Sequence, residues 1–237
     1  MAGPGWAAPP TGPPRHVGRL AGVEEERRYP GRLVVVDGPD GAGKSGVTAH
    51  LVEVLRGEGR AVTQVREPGG TPLGEALREV LLRAEAVDRS ALADALLFSA
   101  ARAELVARVI RPALERGDLV VSDRYATSTM AYQGYGGGVG LERLEALERV
   151  TTGGLRPDLV ILIDVSVEEG LRRRIDEGGG ETRFEERFDR AYHERVRGGY
   201  LAMAAADPVR WRVVDGTLPP TQVAAQVERH VRALLDA

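Results

Sequence analysis

The run Gly38-Pro39-Asp40-Gly41-Ala42-Gly43-Lys44-Ser45 follows the pattern G-x-x-x-x-G-K-[ST]. Glycines at this spacing let successive backbone N–H groups curl around a phosphate, and the helix that follows adds its partial positive charge. Lys44 then reaches β- and γ-oxygens, and the Ser45 hydroxyl is offered to Mg²⁺. The chain has 32 basic residues, of which only Lys44 is Lys, and it has no Asn. That usage points to a G+C-rich coding sequence in which Lys44 was kept where a guanidinium would not serve. Guanine-specific GTPases usually read their base with an Asn-Lys-x-Asp stretch, which a chain without Asn and without a second Lys cannot form. ATP is the expected phosphate donor.

The elements that must position this loop are legible as alternating patterns. Leu33 to Asp37, Ala61 to Arg66, Leu119 to Asp123, Leu159 to Asp164 and Val209 to Asp215 read as strands. The predicted helices are Lys44 to Arg56, Thr71 to Arg83, Ser90 to Arg116, Gly140 to Thr152, Val167 to Asp176, Glu185 to Ala206 and Thr221 to Leu235. Near-continuous runs such as Leu33-Val34-Val35-Val36 suit strands covered on both faces. Strand and helix in alternation predict an α/β fold with a parallel sheet and right-handed crossovers. Residues 1–30 hold 6 of the 14 Pro and show no apolar period, so they are expected to form a disordered extension ahead of one domain spanning 31–237.

Composition narrows the function classes. A length of 237 residues and a net charge of −3 argue against a nucleic-acid coat or a polybasic membrane binder. The absence of Cys excludes disulfide frameworks, thiolate metal sites and thiol catalysis. No apolar run reaches membrane-spanning length, and the first residues lack the pattern of a secretory signal, so a cytoplasmic protein is expected.

Beyond the loop come Arg66-Glu67-Pro68-Gly69-Gly70-Thr71, then Phe98-Ser99-Ala100-Ala101-Arg102, Asp123-Arg124-Tyr125, Ala131-Tyr132-Gln133-Gly134 and Arg156-Pro157-Asp158. In this order the chain resembles the thymidylate kinases from about Leu33 to its C-terminus. The resemblance implies a P-loop NTPase fold, a five-stranded parallel sheet with helices on both faces, acting on ATP and dTMP with Mg²⁺, and a homodimer to which the Ser90 to Arg116 helix contributes.

Phe98 and Arg102 stand four apart on a predicted helix and share a face. A pyrimidine stacked on Phe98 could offer its O4 to Arg102, as the matching residues of the family do. Arg66 and Arg124 fall at C-terminal strand ends, where open α/β sheets bind ligands, and the resemblance gives them the acceptor's monophosphate. It also gives Asp123 a place near Mg²⁺ and the transferring group, and Asp40 a place near the acceptor's sugar and the metal. Tyr132 matches the aromatic that excludes a ribose 2′-OH. Ser128, Thr129 and Gln133 line the same segment, and Tyr135 is read as packing from an aromatic-rich helix.

Residues 176–185 look like a lid. Because the phosphate loop has Gly41 where some members of the family carry a catalytic Arg, the lid is expected to supply it, with Arg183 first and Arg173 next. Arg172 and Arg174 are read as a solvated helix face. Two positions depart from the family: Gly46 stands in place of a second hydroxyl or Arg, and Thr182 in place of an Asp. The expected activity is transfer of the γ-phosphoryl of ATP to dTMP. The alternatives are a kinase of another deoxynucleotide or nucleoside, or a nucleotide-binding paralogue of low turnover.

Overall fold

The structure, a computed structural model, describes residues 29–83, 88–176 and 189–236. Five parallel strands lie in the order β2-β3-β1-β4-β5. They are β1 (Arg32–Asp37), β2 (Val62–Arg66), β3 (Leu119–Asp123), β4 (Leu159–Asp164) and β5 (Trp211–Asp215). Alternation along each strand feeds two cores. Leu33, Val35, Val120, Val160 and Leu162 meet Leu105, Ile110, Val196 and Tyr200 on one face. Val34, Val36, Val121, Ile161 and Ile163 meet Leu51, Leu55, Val227 and Val231 on the other. The parallel register sets Asp123 beside both Val36 and Arg66, so the C-terminal ends of β1, β2 and β3 converge.

Helix α1 (Lys44–Gly57) leaves the phosphate loop directly from Gly43, which adopts φ 84°. Helix α2 (Pro72–Arg78) starts from Thr71, whose side chain accepts from the Gly74 N–H, and runs on through a π turn, Glu79–Arg83. The long helix predicted after Ser90 is realised as α3 (Ala91–Leu105), a π segment (Val106–Ile110) and α4 (Arg111–Glu115). Pro112 explains the interruption: it has no N–H, and its ring crowds the carbonyl one turn back. A further helix, α5 (Ala126–Thr129) continuing as a π segment (Met130–Gly136), is absent from the helices that periodicity predicts. Its hydroxyl and glycine content hides the helical period, and contact with the sheet and its neighbours sustains it. The remaining helices are α6 (Leu141–Thr152), α7 (Val167–Asp176), α8 (Arg190–Ala206) and α9 (Pro220–Leu235).

Tyr29 packs against the core. β5 starts at Trp211 rather than Val209, because Arg210 and Trp211 donate backbone bonds to the Asp207 carbonyl and hold a turn there. The extension over residues 1–28 and the lid residues 177–188, Thr182 and Arg183 included, lie outside the described residues.

Candidate active site

The phosphate loop lies against α7 with no room to spare. Gly41 has φ 73°, and a Cβ there would stand 2.2 Å from the Gly170 carbonyl oxygen; a Cβ on Gly170 would stand 2.4 Å from that of Asp40. An arginine in the loop at this point is therefore sterically forbidden, which gives a physical reason for seeking that charge elsewhere. Lys44 is 7% exposed, and its ammonium donates to the Pro39 carbonyl at 2.7 Å. Burial, then the nearby Arg124 charge, pulls its pKa down to about 8. The Ser45 hydroxyl donates to Asp123 at 2.6 Å. This hydroxyl–carboxylate pair fits Mg²⁺, which takes one or two protein oxygens together with nucleotide phosphates. Among the described residues no cluster of three His, Cys, Asp or Glu forms a complete metal cage.

Arg124 is the one non-glycine residue with positive φ, 72°, among the described residues. Such a conformation costs energy and persists where the surroundings over-determine it. Its guanidinium pairs with Asp40, donates to Ser128 at 3.3 Å and lies 5.2 Å above the Tyr132 ring. Tyr132 donates its hydroxyl to the other Asp40 oxygen at 2.5 Å. Arg124 and Lys44 hold the Asp40 carboxyl below its usual range against the opposing effect of burial. Both Asp40 oxygens are engaged in this way. Behind Arg124 stands Asp37, fully buried, which accepts from Thr127, Ser128, Tyr200 and the Gly38 N–H at 2.5 to 2.9 Å. Sequence reasoning missed Asp37, Thr127 and Tyr200 as site-building residues. Asp37 ends an apolar strand beside the loop, a signal that could have been read; Tyr200, 163 residues away, offered none.

The other end of the cleft is built on α3. Phe98 and Arg102 line it together with Glu67, Thr129, Tyr132 and Gln133. Arg102 is only 1% exposed. Its Nε donates to Glu67 at 2.7 Å, Nη1 to Glu148 at 2.5 Å, and Nη2 to the Tyr125 carbonyl at 3.1 Å and the Thr129 hydroxyl at 3.0 Å. Gln133, 3% exposed, closes the same wall. Tyr135 packs on Gly199 of α8, as expected of an aromatic supporting the site from outside.

Arg66 lines the cleft and reaches both oxygens of Glu75 at 3.3 Å, leaving the guanidinium half exposed. On α7 Arg172 is exposed, as expected, and the reading of Arg174 as part of the same solvated face is corrected. Glu169 accepts from both Arg172 and Arg173, the latter at 2.6 Å, and Arg172 also bonds Asp176. Arg174 lines the cleft beside Asp40, Gly41 and Lys44. The reason is helical: Gly170 is the α7 residue that touches the loop, and Arg174 stands one turn further on the same face. A methyl group added to Gly46 would meet nothing within 4 Å, so its missing side chain leaves open space and not a packing defect.

A cleft of about 480 Å³ thus runs from the phosphate loop, past two arginines at strand ends, to the Phe98–Arg102 face, a size suited to small-molecule substrates. Loop, sheet order and cleft together define a kinase of the P-loop NTPase class. The thymidylate kinase family model matches residues 36–227. A thymidylate kinase of Thermomicrobium roseum is 52% identical over 195 residues, covering 82% of this chain and 91% of that protein. One of Deinococcus radiodurans is 46% identical over 83% of this chain and 94% of its own length. The crystal structure of thymidylate kinase from Ehrlichia chaffeensis superposes with a TM-score of 0.69 at 29% identity, covering 85% of this chain and 98% of that one. The chain belongs to the thymidylate kinase family.

Proposed function

We propose that the protein transfers the γ-phosphoryl group of ATP to dTMP, giving dTDP for dTTP synthesis. The observation that carries this reading is the cleft joining the Lys44 loop to the Phe98–Arg102 face. An oxygen of the dTMP phosphate forms the new bond to the γ-phosphorus, while the bond to the bridging oxygen breaks and its electron pair leaves with ADP. Such transfer passes through a loose transition state, so alignment and charge neutralisation matter more than a strong base. Lys44 and the loop N–H groups hold the donor's phosphates. Arg66 and Arg124 clamp the acceptor's phosphate, for which a guanidinium fork is suited by bidentate pairing. Mg²⁺, held by Ser45 and Asp123 with the nucleotide, supplies further charge neutralisation when bound. Asp40 keeps Arg124 and Tyr132 in place, and Tyr132 fills the space a 2′-hydroxyl would need. Phe98 stacks on the base. Arg102, Thr129 and Gln133 surround its polar edge. Arg174 is the described α7 arginine placed to approach the β,γ bridge, and Arg183 is the remaining candidate.

Leu73 on α2, Val80 in the π turn and Leu92 and Leu96 on α3 are 44–50% exposed. An apolar face of this kind supports a homodimer closed by a second copy. No helix among the described residues is long and apolar enough to cross a membrane, and the nucleotide chemistry supports a cytoplasmic reading.

The test is ADP release with dTMP, dUMP, dCMP, dGMP and thymidine as acceptors. A kcat/KM at least about tenfold higher for dTMP than for the rest is the expected result. A better acceptor among the others would make the protein a different deoxynucleotide or nucleoside kinase, and ATP binding without turnover on any of them would make it a nucleotide-binding paralogue.

A further inference from the structure

Glu148 lies in the middle of α6, outside every motif that carries the family resemblance, yet it is 7% exposed and reaches the base end of the cleft. One of its oxygens accepts from Arg102 at 2.5 Å and from the Ser99 hydroxyl at 3.0 Å. Its other oxygen is buried with no hydrogen-bond partner, as is one oxygen of Glu67. A helix that needed only a packing contact at this place would be served by an apolar residue, since unpaired buried carboxylate oxygens carry a desolvation cost.

The donor inventory of Arg102 shows what that cost supports. A guanidinium has five N–H groups in a fixed plane. Glu67 takes the Nε donor, Glu148 one Nη1 donor, and Tyr125 and Thr129 the two on Nη2. One Nη1 donor remains, on the same nitrogen that Glu148 holds. Arg102 lines the cleft beside Phe98, so this is the N–H with which it can meet the edge of a base stacked there. Because the fork is planar, fixing one hydrogen of Nη1 fixes the direction of the other.

We propose that Glu148 is a positioning residue for acceptor selection, which aims the last free N–H of Arg102 at a carbonyl oxygen on the base. The inference rests on the dTMP kinase reading and adds to it a determinant on α6. A single aimed donor favours a pyrimidine with a carbonyl at position 4, and it meets another donor when that position carries an amino group. Repulsive mismatch of this kind discriminates better than a lost contact. A guanidinium held only by Glu67 and the Nη2 acceptors could tilt and accommodate either base.

Steady-state kinetics with dTMP and dCMP on the full chain test this with Glu148→Ala, the near-isosteric Glu148→Gln, and each combined with Arg102→Gln. Glu148→Ala is expected to raise KM for dTMP about tenfold, keep kcat within about threefold, and lower the dTMP-to-dCMP preference at least about tenfold. Glu148→Gln, which keeps an oxygen acceptor, should recover most of that preference. In the Arg102→Gln background neither change should alter the preference further. Should Glu148→Ala fold poorly, the melting temperature will show it, and Glu148→Met, which removes the acceptor at similar volume, decides in its place: the preference is expected to fall at least about tenfold alone and no further in the Arg102→Gln background. A dTMP-to-dCMP preference within about twofold of wild type in Glu148→Ala, or an equal loss in the Arg102→Gln background, overturns the proposal. Absence of dTMP turnover in the wild type would instead overturn the kinase reading itself.

Discussion

Arg102 and Lys44 line one cleft from opposite ends, and their surroundings differ in kind. Arg102 is clasped by two carboxylates, a carbonyl and a hydroxyl, and the carboxylates of Glu67 and Glu148 raise its pKa above an already high value despite burial. Lys44 rests on the carbonyl of Pro39, and burial together with Arg124 pulls its pKa down to about 8. The base end thus holds its cation in bonds made before any ligand arrives, and the phosphate end holds a lysine that a triphosphate must complete. Shape and donor direction are fixed where a neutral base is to be chosen. Charge is left unneutralised where charge will develop during transfer, the arrangement in which preorganised electrostatics are most effective.

The largest expected effect breaks the phosphate end. Lys44→Ala should lower kcat at least about a thousandfold, since it removes the cation nearest the bridging phosphates, while the melting temperature stays the same or rises because a poorly satisfied buried charge is gone. A melting temperature that falls by several degrees would show that Lys44 is as structurally invested as Arg102, and the contrast would fail.

Arg174→Ala sharpens the same end. Its kcat should fall about a hundredfold with KM for dTMP within about threefold, because a side chain that acts on developing charge is felt in kcat more than in ground-state binding. Arg172→Ala, which removes an exposed group tied to Glu169 and Asp176, should remain within about twofold of wild type. Normal turnover in Arg174→Ala alongside a collapse in Arg183→Ala would move the role to Arg183.

The smallest effect probes the base end through pH. Burial raises the Glu67 carboxyl to about 7, against the lowering effect of Arg102 and with Glu148 and Asp37 adding like charge. The folded protein therefore holds this proton more tightly than the unfolded chain does. The stability it contributes is complete below about pH 4.5 and is lost as pH rises through about 7. Between about pH 5.5 and 8 the wild type should lose about 1–3 kcal/mol that Glu67→Gln does not lose. Parallel melting profiles for the two proteins would show that the base end does not carry the buried charge assigned to it.

Much of the positioning was legible along the chain. The phosphate loop announced itself because its chemistry is local: glycines, lysine and hydroxyl must be neighbours to curl around one phosphate. The strand runs were legible because burial on both faces demands continuous apolar residues, and β3 and β4 appear with the bounds their patterns predicted. Phe98 and Arg102 were legible as a pair because helical spacing places them on one face. The helix from Ala126 was legible only in the aromatic-rich stretch that carries Tyr135, since its first residues favour it only once the sheet and α8 are packed around it.

The sequence by itself determined the elements, their order and the chemistry each segment could offer, because those depend on neighbours within one or two turns. Only the tertiary structure decided how that chemistry is aimed. Three arginines in a row on α7 are equivalent as text, and the backbone contact of Gly170 with the phosphate loop selects Arg174 to face the cleft. Tyr200 reaches Asp37 across 163 residues, and Glu148 reaches Arg102 across 46. Such pairings have no period and no spacing, since they exist only where separate helices are packed onto one sheet and a buried polar group must find its partner in whatever element lies opposite.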